Sequence, residues 1–170
     1  MSLPILSLTP LGLGLSWAIV TDLRWRRIPN AVSAFVLVGG LVLRGYHGGI
    51  VAALSGLAAA LLILLVLYRP WQAGGLGGGD VKLASAVAAW VGLSQLIWFA
   101  LASAVAGGIV AAAYYFKAPA STRADVRANL TLAWVHGDLP PAAGSHRKGH
   151  VSLPYALAIA AGAAVALIGV

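Results

Sequence analysis

Asp22 and Asp80 are the residues of this chain whose type and placement could do chemistry. The sequence has four acidic residues, all aspartate, and these two lie where long apolar segments meet short polar stretches. A carboxylate at membrane depth costs on the order of 3 kcal/mol or more unless it is paired, protonated or hydrated, so its presence indicates function. Two carboxylates that share one proton can activate water and protonate a peptide carbonyl. The pair therefore predicts a shared acid–base site.

The composition predicts an integral membrane protein. Hydrophobic residues make up 61% of the chain and charged residues 9%, with a mean hydropathy of +0.92, whereas soluble domains carry roughly 25% charged residues. We expect one domain over residues 1–170, with an all-α, polytopic fold of six transmembrane helices. The apolar segments span residues 3–20, 31–43, 50–68, 81–93, 95–116 and 151–170.

The basic residues predict the orientation of these segments. With the N-terminus outside, ten of the eleven Lys and Arg residues fall on the cytoplasmic side, and Arg44 is the exception. Basic residues concentrate on that side in short loops, so Asp22 and Asp80 are both expected to face the cytoplasm. The net charge of +7 is then explained by topology and contact with anionic lipids, without nucleic-acid binding.

A glycine-rich stretch, residues 74–79, leads directly to Asp80. Glycine permits close backbone approach, and we expect a flexible loop without side chains that ends in a carboxylate. A plain linker is the alternative for the glycines, and helix N-capping is the alternative for Asp80.

Asp22 also has a structural alternative. An ion pair with Arg26 at i,i+4 spacing would contribute only about 0.2–0.5 kcal/mol in water. From helix polarity, the positive end of a helix after Asp80 and the negative end of a helix before Asp22 predict Asp80 as the resting base and Asp22 as the acid.

The residues around both aspartates resemble the type IV prepilin peptidase family, which are GxGD-type intramembrane aspartyl proteases. The first match is Asp22 followed by Arg27, Ile28, Pro29 and Asn30. The second is Gly77-x-Gly79-Asp80-x-Lys82-Leu83, and the third is Pro154-Tyr155 at the start of the last segment.

The resemblance implies an aspartic endopeptidase of the bacterial cytoplasmic (inner) membrane. Its substrate would be the precursor of a pilin or pilin-like protein, cut at the cytoplasmic face behind a short basic leader, and its partners would include the pilus assembly machinery. No metal or cofactor is implied. The implied catalytic residues are Asp22 and Asp80, the site-shaping residues are Gly77, Gly79 and Lys82, and the supporting residues are Arg27, Pro29, Asn30, Pro154 and Tyr155.

The resemblance is to the short, peptidase-only branch that serves tight-adherence (Flp) pili. Longer family members add an N-terminal segment with a cysteine tetrad and an N-methyltransferase activity. This sequence contains no cysteine, and its first apolar segment begins near Leu3. We therefore expect no methyltransferase activity.

Other features of the sequence allow further interpretations. Lys82 and Ser85 could form a Ser-Lys dyad, because residues three apart on a helix can meet. The two aspartates could instead bind a proton or cation in a transporter subunit. Residues 121–136 carry Val126, Leu130 and Trp134 at helical spacing, which is typical of an amphipathic helix on the membrane surface.

Overall fold

The computed structural model describes residues 8–73, 76–119, 123–124, 126 and 155–168. Within these ranges every regular element is helical, which confirms the predicted all-α class. A short 3₁₀ turn, Leu93–Gln95, precedes the fourth helix. The helices are α1 (Thr9–Trp25), α2 (Asn30–Gln72), α3 (Gly78–Val91), α4 (Leu96–Lys117) and α5 (Tyr155–Ile168).

Gly49 divides α2 into two helical halves that run in opposite directions. Its backbone has φ 70° and ψ −171°, in the left-handed φ range that glycine adopts without a Cβ penalty. Asn30, near the start of α2, and Leu64, near its end, line the same groove. Arg44 Nε donates to the carbonyl of Ala52 at 3.1 Å across the bend. The halves, residues 30–48 and 50–72, correspond to the second and third predicted segments.

Among the described residues, two helical stretches are long and apolar enough to cross a membrane, Asn30–Gln72 and Leu93–Lys117, and Tyr155–Leu167 is a shorter apolar helix. The helix α1 has 17 residues and α3 has 14. At about 1.5 Å per residue, α3 is shorter than a hydrocarbon core of about 30 Å. Membrane location is consistent with these helices, and the count of six spans stays a prediction.

The helix α3 lies at the centre of the hydrophobic core and packs closely against α2. Every residue of α3 from Val81 to Val91 is buried except Lys82. The fully buried side chain of Trp90 packs against α2, where the absence of a Cβ on Gly39 and Gly40 leaves space for its ring. Its indole N–H donates to the carbonyl of Val36 at 2.6 Å. A large ring whose polar atom is satisfied thus fixes α3 on the first half of α2.

Arg44 closes the opposite end of this helix pair. Its Nη1 donates to the carbonyls of Trp90 at 2.9 Å and Val91 at 3.1 Å. These carbonyls lie at the C-terminus of α3, where backbone acceptors lack helical partners and a cation is favourable. The one basic residue predicted to lie outside therefore has a structural role in helix capping.

The helices α4 and α5 form a second closely packed pair. A Cβ on Gly162 of α5 would collide with Ser103 Oγ and lie 2.9 Å from the carbonyl oxygen of Phe99. Gly107 of α4 lies against the ring of Tyr155. The start of α5 also reaches the rest of the molecule, because α5 packs against α1 and α3 as well.

The start of α3 differs from the predicted boundary. The fourth segment was expected to begin at Val81, but α3 begins at Gly78, so the expectation of a flexible loop up to Asp80 was wrong for Gly78 and Gly79. The amphipathic helix predicted over residues 121–136 and the site residue Pro154 lie mainly or wholly outside the described residues.

We predict that Gly40→Ala destabilises the protein, whereas Gly12→Ala does not. A Cβ at position 40 would lie 2.6 Å from Cδ1 of Trp90, a ring already tied to Val36, and such overpacking costs about 1–3 kcal/mol. A Cβ at position 12 meets nothing within 4 Å, and removing glycine from a helix is favourable. Thermal midpoints in detergent would compare the two, and equal midpoints would contradict the packing described for Trp90.

Candidate active site

Asp22 lies in the last turn of α1, with its side chain buried. One carboxylate oxygen, Oδ2, accepts the backbone N–H of Ala156 at 3.3 Å. Ala156 is in the first turn of α5, where N–H groups have no acceptor within the helix. The positive end of the α5 dipole also favours a negative charge there. The last helix therefore supplies a partner for the carboxylate of the first.

The turn after α1 holds Asp22 at the end of its helix. Arg26 ends α1 in the left-handed conformation, with φ 51°, and its N–H donates to the backbone carbonyl of Asp22 at 2.9 Å. The Arg26 guanidinium donates to the hydroxyl of Tyr114 in α4 at 3.2 Å, so this side chain also connects α1 to α4. Its role is wider than the simple Asp22–Arg26 pair considered from the sequence.

Asp80 lies in the first turn of α3 and folds back over Gly77. Gly77 is the N-cap of α3, and its backbone forms a hydrogen bond with the Asp80 carboxylate. A Cβ on Gly77 would lie only 2.6 Å from Oδ2 of Asp80. Asp80 is thus not the N-cap residue. It acts like the acidic member of a capping box, which reaches back to the N-cap backbone.

The two sequence motifs are in contact with each other. A Cβ on Gly79 would lie 3.1 Å from Cβ of Ile28, and Ile28 is buried in the turn between α1 and α2. Lys82 Nζ donates to Oδ1 of Asn30 at 3.0 Å. The start of α3 therefore rests directly on the start of α2, which brings the two aspartate neighbourhoods together.

The proposed Ser-Lys dyad has no support in this geometry. Ser85 Oγ donates to the carbonyl of Val81 at 2.8 Å, a bond within α3. Lys82 Nζ is directed to Asn30 instead. Neither group is placed to activate the other.

Asp22 and Asp80 both lie just outside the predicted apolar segments 3–20 and 81–93. Different neighbouring groups shift the pKa values of their carboxyls. Burial raises the pKa of Asp80 above its usual range, and the charge of Asp22 raises the pKa further. Burial also raises the pKa of Asp22, but the Ala156 N–H and the charge of Arg26 act in the opposite direction. For Asp80 the group that acts in the opposite direction is the backbone of Gly77. The two carboxyls are therefore close enough to interact, and burial is the largest effect on both pKa values.

Tyr155 lies beside this pair. It is the first residue of α5, half-buried, and it shares the lining of one pocket with Asp80. Its neighbour Ala156 binds Asp22. The first turn of α5 thus contacts both aspartate neighbourhoods.

The structure places the predicted site residues unevenly. It brings together Asp22, Asp80, Gly77, Gly79 and Tyr155, with Asn30 and Lys82 at the edge. Pro29 is the N-cap of α2, Arg27 is exposed on the turn, and Pro154 lies outside the described residues. Sequence reasoning missed Ala156, because its contribution is a backbone N–H and its side chain carries no chemical signal.

Comparison with known proteins identifies the family. The chain matches the Type IV leader peptidase family over residues 11–112, well over half its length, and it belongs to that family. The matched range contains both Asp22 and Asp80, and it ends before α5. Searches of curated proteins and of solved structures gave no significant match. The family is one of membrane-embedded proteases that act on prepilin-like substrates.

We predict that Gly77→Ala impairs peptidase activity, whereas Gly108→Ala does not. The new methyl group would lie 2.6 Å from Oδ2 of Asp80, so the carboxylate would have to move, and a displacement of about 1 Å can cost on the order of 100-fold in rate. A Cβ on Gly108 meets nothing within 4 Å, so Gly108→Ala is the matched control. Both are scored by cleavage of a pilin precursor at equal protein levels. Normal activity of Gly77→Ala would contradict the tight Asp80–Gly77 contact.

Proposed function

We propose that this protein is an aspartic endopeptidase that removes the leader from a pilin or pilin-like precursor, with Asp22 and Asp80 as the catalytic dyad. The observation that carries the proposal is that the first turn of α5 reaches both carboxyls, since the Ala156 N–H binds Asp22 and Tyr155 lines one pocket with Asp80. Membership of the Type IV leader peptidase family supports the peptidase over the transporter alternative.

The reaction we propose uses the difference between the two carboxyls. Asp22, with the Ala156 N–H and the positive end of α5 beside it, is the carboxylate that deprotonates water. Asp80, whose pKa is raised by burial and by the charge of Asp22, is the acid that protonates the scissile carbonyl. This is the reverse of the assignment from helix polarity alone, because that argument took no account of the start of α5. Site-resolved titration of the two carboxyls would separate the assignments.

We propose that the site faces the cytoplasm in a six-span, N-terminus-outside topology in the bacterial inner membrane. Ten basic residues fall on the proposed cytoplasmic side and Arg44 falls on the other side, which supports this orientation. The capping role of Arg44 accounts for the exception. The division of α2 at Gly49 is what six spans require.

We assign the protein to the peptidase-only branch of the family that serves tight-adherence pili. Its 170 residues contain no cysteine, whereas the methyltransferase activity of longer members accompanies a cysteine tetrad. The proposed product is a pilin without N-methylation by this chain, which then passes to the pilus assembly machinery.

We predict that Asp22→Asn and Asp80→Asn each abolish cleavage while the protein accumulates normally in the membrane. Asparagine keeps the side-chain volume but supplies neither an ionised base nor a carboxylic acid. The controls are Asp125→Asn and Asp138→Asn, which change the other two aspartates. The assay co-expresses each variant with a pilin precursor from the same genome and measures the loss of the leader by gel mobility. Normal cleavage by either Asp22→Asn or Asp80→Asn would reject the dyad and favour a transport role.

The proton assignment also predicts a pH dependence of stability. A carboxyl whose pKa is raised on folding stabilises the fold below its unfolded pKa, and this contribution is lost as the pH rises through its folded pKa. Because the pKa of Asp80 is raised, Asp80→Asn should raise the thermal midpoint relative to wild type at alkaline pH, and the difference should shrink in acid.

The variant Asp22→Asn provides the control for this coupling. Removing the charge of Asp22 lowers the folded-state pKa of Asp80, so the loss of stability on raising the pH should be complete at a lower pH and be smaller than in wild type. Thermal midpoints measured in detergent from pH 4 to pH 9 test both statements. A wild-type profile parallel to that of Asp80→Asn over the whole range would contradict the raised pKa.

A further inference from the structure

Trp71, in the last turn of α2, packs its indole ring against Gly78, in the first turn of α3. A Cβ on Gly78 would lie 3.2 Å from Nε1 of Trp71, 3.8 Å from Cε2 and 3.9 Å from Cδ1. All three atoms belong to the five-membered ring of the indole. This ring therefore covers Gly78 and leaves little room for a side chain at position 78.

The neighbours of Gly78 in the chain are contacted by other groups. The glycine before it contacts the Asp80 carboxylate, and the glycine after it contacts Ile28. Ile28 belongs to the turn between α1 and α2, whereas Trp71 belongs to the far end of α2. The first turn of α3 is thus contacted by two different parts of the molecule, and the Trp71 contact is the one that the site described above does not include.

The orientation of the Trp71 ring is set by its neighbours on α2. The ring of Tyr68, one turn earlier, lies with its centroid 5.6 Å away and is tilted by 52°. The hydroxyl of Tyr68 accepts a hydrogen bond from Nε2 of Gln72 at 3.0 Å. Trp71 is 44% exposed, so contacts with Tyr68 and Gly78, rather than deep burial, hold the ring in place.

The start of α3 needs such a contact. Glycine has a low helix propensity and a large conformational freedom to lose, so Gly78 and Gly79 give this turn little stability of their own. Asp80 lies in the same turn, two residues after Gly78. Any shift of the turn therefore moves the Asp80 carboxyl by a similar amount, and the position of the carboxyl depends on what packs against the glycines.

We propose that Trp71 is a positioning residue for the proposed dyad, because its indole ring covers Gly78 and holds the first turn of α3 where Asp80 meets Asp22. This inference rests on the proposed leader peptidase function. Trp71 acts through the backbone of α3 and does not touch the reacting atoms. The alternative is an interfacial anchor, which is the ordinary role of tryptophan at a membrane boundary and requires no contact with α3.

The test measures the kinetics of Trp71→Ala with a pilin precursor, using the full-length enzyme in detergent. We expect kcat to fall by about 10-fold or more, because a displacement of about 1 Å can cost on the order of 100-fold in rate. KM should stay within about 2-fold of wild type, since the residue makes no contact with substrate. Trp71→Phe keeps an aromatic ring over Gly78 and should retain more than about a third of the wild-type kcat.

An anchoring role alone would give a different result. Trp71→Ala would then accumulate less in the membrane or unfold at a lower temperature, while kcat per folded enzyme stayed at the wild-type value. That outcome would overturn the proposal. The matched control is Trp25→Ala, which removes a tryptophan that is 64% exposed at the end of α1. Trp25→Ala should leave kcat unchanged, and an equal loss of kcat in both variants would contradict a specific role for Trp71.

The same contact can be tested from α3. Gly78→Val places a branched side chain against the indole, so it should lower kcat by about 10-fold or more in the wild-type background. With Trp71→Ala the space is vacant, and Gly78→Val should then cost less than about 2-fold more. Residues in contact show such non-additive effects, whereas independent residues do not. Losses that multiply fully in the double variant would overturn the proposal.

The two sides of this test keep the outcome decisive if Trp71→Ala fails to fold. Trp71→Leu then takes its place in the double variant, since leucine retains apolar bulk without the indole ring. A wild-type kcat in Gly78→Val alone would also overturn the proposal. Wild type that cleaves no precursor rejects the peptidase function itself, whereas wild type that cleaves, with unchanged kcat in the Trp71 and Gly78 variants, rejects only the positioning role.

Discussion

The site depends on the close approach of the first turn of α3 to the turn between α1 and α2. At position 79 the neighbouring Cβ of Ile28 leaves room only for glycine without local adjustment, and at position 77 the Asp80 carboxylate lies where a side chain would begin. Two glycines in the first turn of a helix weaken its intrinsic stability. The fold offsets this through the buried contacts of the rest of α3, above all Trp90, and through the Arg44 cap at its far end.

The approach of two carboxyls is itself unfavourable, and contacts with the rest of the site offset this cost. When two carboxyls share a partly buried site, the negative charge of one disfavours ionisation of the other. The start of α5 supplies an N–H to Asp22, while apolar surroundings and the charge of Asp22 favour the protonated form of Asp80. The proposed mechanism uses these different surroundings to distinguish the acid from the base.

The surroundings of the two carboxyls come from different helix pairs. The helix pair α2 and α3 carries Asp80 on a rigid core, and the pair α4 and α5 presents Tyr155 and the helix start that binds Asp22. A pocket lined by Asp80 and Tyr155 lies where these units meet. The proposed catalysis depends on the contacts that join the two units there.

Much of this arrangement could be predicted from residue types and spacing. The apolar pattern predicted an all-α fold, and the boundary between residues 43 and 50 corresponds to the break at Gly49. The placement of Asp22 and Asp80 at segment ends, with glycines before Asp80, predicted one site. Side-chain chemistry and hydrophobic period are local properties, and the sequence displays them directly.

The parts that could not be predicted are tertiary contacts of groups without a chemical signature. The backbone of Ala156, the packing of Ile28 on Gly79 and the Lys82–Asn30 bond each join residues distant in sequence. The start of α3 was misplaced because glycine has low helix propensity, and here the tertiary packing of the turn outweighs that preference. The proposed assignment of the acid and the base differs from the prediction by helix polarity for the same reason, since the helix start that binds Asp22 is remote in the chain.

The most direct test of the central claim is a measurement of proximity between Asp22 and Asp80. Because the chain contains no cysteine, Asp22→Cys/Asp80→Cys places the only two thiols at the proposed site, and a short bifunctional thiol reagent can report whether they meet. Asn30→Cys/Lys82→Cys is the positive control, since those side chains are in contact at 3.0 Å. We expect both pairs to be crosslinked in membranes, with loss of both free thiols. Crosslinking of the control pair alone would contradict a shared site for the two aspartates.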